Sequence, residues 1–123
     1  MVERKDLMSL VTERIEDNVL YLELNGRIDS SNADQAEELI KAIKEAHPDL
    51  QSVLDAENLE YLSSAGLRVV LRMRKDTADL KIINVSTEVY EILDMTGFTD
   101  MITVEKALRR LSLEGCELIA KGG

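Results

Sequence analysis

The sequence predicts a single α/β domain on a mixed sheet of four to five strands, the first two antiparallel and the rest largely parallel, covered by about four α-helices. Three observations lead there. Val19, Tyr21, Glu23 and Asn25 alternate with Leu20, Leu22, Leu24 and Gly26, the period-two pattern of a strand with one leucine-rich face. After Asp29 the apolar residues change to a spacing of three to four, which marks a helix with one apolar stripe. The strand-then-helix succession then returns twice, arguing for parallel pairing through right-handed crossovers. A chain of 123 residues has length for one domain and one modest core.

The first run alternates imperfectly: Val11 and Ile15 share a face with Ser9 and Glu13, while Leu10 falls on the other side. Glu16-Asp17-Asn18 is a polar turn cluster, so the first 28 residues read as an antiparallel hairpin. Ser30 or Ser31 is expected to cap the first helix, and Asp34, Glu37 and Glu38 load its early turns with acid, as the macrodipole favours. Ala33, Ala36, Leu39, Ile40 and Ile43 form its apolar stripe. His47-Pro48 ends it, because the residue before a proline is pushed out of the α region. Val53 and Leu54 make a short strand ending at Asp55, a loop carries Leu59, Tyr61 and Leu62, and Leu67 to Met73 read as a helix. Leu80, Ile82, Ile83 and Val85 make the next strand, and Thr87 to Thr96 a short helix that Gly97 stops in the left-handed conformation. Met101 and Ile102 are expected as a last short strand, after which Thr103 caps a helix carrying Val104, Ala107, Leu108 and Leu111.

The composition excludes several function classes. Apolar residues at 45% and charged residues at 32% are an ordinary soluble balance. A formal net charge of −9 repels nucleic acid and anionic lipid, and no run is basic enough to grip a phosphate backbone. Cys116 is the only cysteine, so neither a disulfide framework nor a cysteine metal cluster is expected. The opening MVERKDLMSL lacks the apolar stretch of a signal peptide, and no segment reaches the roughly 20 apolar residues of a membrane span, so a cytoplasmic location is expected. No Walker loop, HExxH motif or nucleophile–base pair is present, and the only histidine, His47, precedes a proline. The expectation is a binding protein without catalysis, cofactor or metal.

The most informative segment is VLDAENLEYLSSAGLRVVL, residues 53–71: a buried strand ending in Asp55, an intervening loop, then two serines before a Gly-Leu that opens a helix. It resembles the signature of the STAS domain, the fold of bacterial anti-sigma-factor antagonists and of the cytoplasmic tails of sulfate transporters. The resemblance covers roughly residues 8–111 and includes Gly26-Arg27-Ile28-Asp29 and Asp94-Met95-Thr96-Gly97-Phe98. In antagonists the stretch reads Asp-Ser-Ser-Gly-Leu, and its first serine is phosphorylated by an anti-sigma kinase. Aligning Gly66-Leu67 with that Gly-Leu puts the acceptor on Ser64, with Ser63 in place of the acid and Ala65 in place of the second serine. The resemblance also places Asp29 at the partner-facing edge, near Ser64.

Two readings of Ser64 stand side by side. A serine at a helix start accepts a hydrogen bond from an unpaired backbone N–H and acts as a cap. The same place suits a charge switch, because a helix N-terminus tolerates a phosphate within its own fold while the surface changes. Arg68 lies one turn along on the same face, followed by Arg72 and Lys75, either as a solvated face or as a small cationic ledge. Ser63, Ser64, Arg68 and Asp29 are therefore the candidate partner-binding residues, with an anti-sigma factor or serine kinase as the partner. Asp29 and Asp55 are read as turn-capping carboxylates beside strand ends rather than an acid–base pair, and Tyr61 and Leu62 as core plugs.

The domain is expected over residues 1–112, with residues 113–123 as a tail. In that tail Glu117-Leu118-Ile119-Ala120-Lys121-Gly122-Gly123 resembles the first strand and glycine-rich loop of kinase-like phosphotransferases. This gives a second expectation: an N-terminal regulatory or sensory module of a larger signalling or phosphotransferase protein, with a kinase-like domain following and Ser64 unmodified.

Overall fold

The computed structural model describes residues 10–77 and 79–107. The elements run β1 (Val11–Glu16), β2 (Val19–Ile28), α1 (Ala33–Ala46), β3 (Gln51–Leu62), α2 (Ser64–Asp76), β4 (Lys81–Val85), α3 (Thr87–Met95), a 3₁₀ turn (Phe98–Asp100) and β5 (Thr103–Lys106). One five-stranded sheet has the order β1-β2-β3-β4-β5. β1 and β2 pair antiparallel from Val11↔Leu24 to Glu16↔Val19, and the three later pairings are parallel. The mixed sheet predicted from the sequence is the observed one.

Asp17 and Asn18 close the hairpin with φ of 51° and 66°, the left-handed pair that matches the twist of two antiparallel strands. From β2 onward the chain steps across the sheet in one direction, so right-handed crossovers lay α1, α2 and α3 on the same face. Leu20, Leu22, Leu24, Leu54 and Ile82 meet Ala36, Ile40, Val69, Val70, Met73, Val89 and Leu93 there in one core. His47 caps the C-terminus of α1, and Gly97 takes the left-handed conformation at φ 83° after α3, both as expected.

Three expectations need correction. β3 does not end at Asp55 but continues to Leu62, so the expected loop carrying Leu59, Tyr61 and Leu62 is strand. Bulges allow this: the pairing runs from Glu23↔Asp55 to Arg27↔Tyr61, so β3 spends six steps where β2 spends four. Neither Ser30 nor Ser31 caps α1. The N-cap residue is Asn32, and its side chain instead accepts from the Asp29 N–H at 2.9 Å and donates to the Arg27 carbonyl at 3.0 Å.

The third correction lies at the end of the described chain. Thr103 does not cap a helix; Thr103–Lys106 is β5, pairing through Lys81↔Thr103, Ile82↔Val104 and Val85↔Lys106. Met101 and Ile102 are not strand either, because both their N–H groups donate to the Phe98 carbonyl and close the 3₁₀ turn. The described residues thus hold three α-helices rather than about four. Leu108 and Leu111, and the tail with its kinase-like resemblance, lie outside the described residues.

Candidate functional site

The site is built where β2 and β3 end together. Ile28 pairs with Leu62, so the next residues, Asp29 and Ser63, leave the sheet side by side. The Ser63 N–H continues the ladder by donating to the Ile28 carbonyl at 3.0 Å. Ser63 then turns the chain into α2 with an extended backbone, φ −86° and ψ −179°. Its Oγ accepts from the Ala65 N–H at 3.2 Å and the Gly66 N–H at 3.4 Å, and its carbonyl accepts from the Leu67 N–H. The cap is therefore Ser63 and not Ser64.

Ser64 is the first helical residue of α2 and is exposed. With Ser63 holding the N-terminal donors, the Ser64 hydroxyl makes no hydrogen bond among the described residues. Arg68, one turn along, is exposed and likewise has no ion pair among the described residues. The expected ledge does not extend as far as Arg72, whose Nη1 donates to Glu37 Oε1 of α1 at 2.7 Å.

A consequence is measurable as a difference between the two serines. Ser63→Ala is expected to cost about 1 kcal/mol, the typical loss of a helix cap, and to lower the melting temperature by about 4–8 °C in a domain of this size. Ser64→Ala is expected to stay within about 0.5 kcal/mol of the parent, as exposed substitutions do. Thermal denaturation of both variants checks this; equal losses would return part of the cap to Ser64.

Asp29 sits beside this helix start. Its Oδ1 accepts from the Ser31 hydroxyl at 2.6 Å and the Ser31 N–H at 3.0 Å, while its carbonyl accepts from the N–H groups of Asn32 and Ala33. The two Ser31 donors, helped by the charge of Arg27, hold the Asp29 carboxyl below its ordinary pKa. Because the folded pKa is depressed, this turn favours the fold above the ordinary carboxylate range. The contribution fades as pH falls through the depressed value.

Asp55 belongs elsewhere. It is 3% exposed within β3, opposite Glu23, five positions before β2 ends at Ile28, about 16 Å along the strand. Arg14 of β1 reaches it at 3.1 Å, and Asn84 of β4 and the Glu57 N–H donate to its other oxygen at 3.1 and 3.0 Å. Burial works against the Arg14 charge, but hydrogen bonds to Asp55 and Glu23 outweigh it and leave the guanidinium pKa above its ordinary value. The reading of both aspartates as turn caps beside strand ends holds for Asp29 but not for Asp55, which lies inside β3 because the strand continues to Leu62.

Leu62 is a core residue, but Tyr61 is only half-buried, its ring lying under the Arg27 guanidinium at 4.5 Å. The sequence reading placed Tyr61 inside and gave Arg27 no role. Their strand register alone could have paired them, and the bulge between Gly26 and Arg27 hides it. Among the described residues no group of His, Cys, Asp and Glu side chains is arranged to hold a metal ion. No helix among them is long and apolar enough to cross a membrane.

Comparison with known proteins matches this architecture. The family model of the STAS domain matches residues 10–111. BtrV of Bordetella bronchiseptica, assigned as an anti-sigma factor antagonist, is 34% identical over 102 residues, covering 79% of this chain and 85% of BtrV. Among solved structures, an anti-sigma factor antagonist from Mycobacterium paratuberculosis superposes with a TM-score of 0.71 at 18% identity, covering 81% of this chain and 87% of that one. The antagonist SpoIIAA, in its unphosphorylated form, gives 0.62 at 14% identity, covering 83% and 93%.

Proposed function

The chain belongs to the STAS domain family, and from that premise we propose that it is an anti-sigma factor antagonist that binds a serine-kinase anti-sigma factor in the cytoplasm and is released when Ser64 is phosphorylated. It works by binding, not catalysis. The observation that carries this reading is the division of labour at the start of α2: Ser63 does the capping, and the neighbouring Ser64 hydroxyl is exposed and has no structural bond among the described residues. Support also comes from BtrV, which is assigned as an anti-sigma factor antagonist.

The physics of the switch is local. A phosphate on Ser64 would bring about −1.5 to −2 charges at neutral pH. At the first position of a helix that charge faces the positive end of the macrodipole, so the fold is retained. A partner packed over the same edge would have to bury the charge, which is costly without a compensating cation.

The test uses Ser64→Asp and Ser64→Ala with the purified anti-sigma kinases of the source organism. Ser64→Asp is expected to keep its melting temperature and to lower affinity at least tenfold by isothermal titration calorimetry. Ser64→Ala is expected to bind like the parent and to take up no phosphate from ATP. Undiminished binding by Ser64→Asp, or phosphate incorporated into Ser64→Ala, would overturn the proposal.

A further inference from the structure

Arg27 is the penultimate residue of β2 and is exposed. In a chain of net charge −9 such a cation normally finds a carboxylate, yet Arg27 makes no salt bridge among the described residues. The nearest acid along the chain, Asp29, is instead committed to Ser31. Arg27 is held by other means. Its guanidinium lies on the Tyr61 ring at 4.5 Å, and its carbonyl is tied to the Asn32 side chain at 3.0 Å. A guanidinium stacked on a ring keeps its in-plane N–H donors open to a carboxylate, in the forked geometry that favours one. Stacking also removes most of the rotamer freedom that binding would otherwise cost.

The next residue, Ile28, accepts the Ser63 N–H, so the Arg27 backbone stands beside the turn into α2. Its side chain and that of its strand partner Tyr61 alternate with Ile28 and Leu62, which pack on α2, and so leave the end of the sheet on the face opposite the helices. The chain as a whole is acidic, with a net charge of −9, and the acid two residues on, Asp29, is partly exposed. A cation held on a ring sets the register of a partner more than it raises overall attraction.

We infer that the Arg27–Tyr61 stack is a partner-recognition element, and that Arg27 receives a carboxylate side chain of the protein partner that docks over Ser64. The inference rests on the antagonist reading above and extends the interface from the start of α2 onto the ends of β2 and β3.

The test measures binding of the source organism's purified anti-sigma kinases at several salt concentrations. Arg27→Gln is expected to weaken binding roughly tenfold or more, as a buried interface arginine does, with an unchanged melting temperature and a shallower dependence on salt. Tyr61→Phe, which keeps the ring face, is expected to bind as the parent does, and Tyr61→Leu several-fold more weakly. If Arg27→Gln binds within twofold of the parent while Ser64→Asp is released, the Arg27 inference is wrong and the Ser64 proposal stands. If no kinase binds the unmodified chain, both fall.

Discussion

Asp55→Ala is expected to be among the most destabilising single changes in the domain, at about 2–4 kcal/mol. Removing one partner from a buried, hydrogen-bonded charge pair costs about 3–5 kcal/mol because the remaining charge is stranded. Here the figure is reduced, because the Arg14 side chain is 34% exposed and keeps Glu23 at 2.7 Å, Glu16 at 3.1 Å and the Tyr21 ring at 4.4 Å. It is not reduced to a surface value. Asp55 is 3% exposed, and its loss also removes the oxygen that accepts from the Asn84 amide and the Glu57 N–H. Asp55→Asn keeps an acceptor oxygen but turns an amide toward Arg14, so it is expected to fall between parent and Ala. Urea denaturation gives the ordering, with a shifted midpoint and an unchanged slope as the signature of lost stability. A cost below about 1 kcal/mol for Asp55→Ala would mean that the carboxylate is replaceable by water. Against total stabilities of about 5–15 kcal/mol, the expected loss is large enough to lower the folded population at physiological temperature.

This network shows where a sequence falls silent. Arg14 and Asp55 lie 41 residues apart and meet only because β1, β2 and β3 stand in order. Where burial follows a regular period, the reading succeeded: β2 alternates cleanly, and the α1 stripe of Ala33, Ala36 and Ile40 is buried. It failed where the period is broken. The two extra residues that β3 accommodates between Asp55 and Tyr61 disrupt its alternation and make a strand look like a loop. β5 gives almost no signal, since three of its four residues are exposed on the sheet edge, and its lone Val104 fits a helical stripe as well as a strand. In the serine pair either hydroxyl satisfies the chemistry of a cap. The choice of Ser63 is made by the Ile28 carbonyl, which draws the Ser63 N–H into the sheet and leaves Ser64 to begin the helix.

The same close approach sets the second large effect, at Gly66. A Cβ on this residue would stand 2.9 Å from a Leu62 methyl, 3.0 Å from the Ile28 carbonyl oxygen and 3.2 Å from the Ile28 Cγ2. The carbonyl cannot retreat, because it belongs to the β2 backbone and already accepts the Ser63 N–H; the Leu62 side chain is 2% exposed and has little room. Two effects then compete in Gly66→Ala. Helix propensity favours alanine by about 1 kcal/mol. Overpacking a tight contact costs about 1–3 kcal/mol, paid by sliding the start of α2 away from the ends of β2 and β3. Because α2 begins only two residues earlier, the net result is expected to be a loss of stability of up to about 2 kcal/mol. The Ser63 amide should also exchange with solvent faster, since its bond to Ile28 is the first stretched by the slide. On the proposed function the partner would then bind more weakly, although Ser64 and Arg27 are both unaltered, because the two would no longer be held in one geometry. Hydrogen exchange and thermal denaturation of Gly66→Ala decide the matter. A higher melting temperature with an unchanged Ser63 amide would mean that propensity outweighs packing and that α2 does not need glycine to sit where it does.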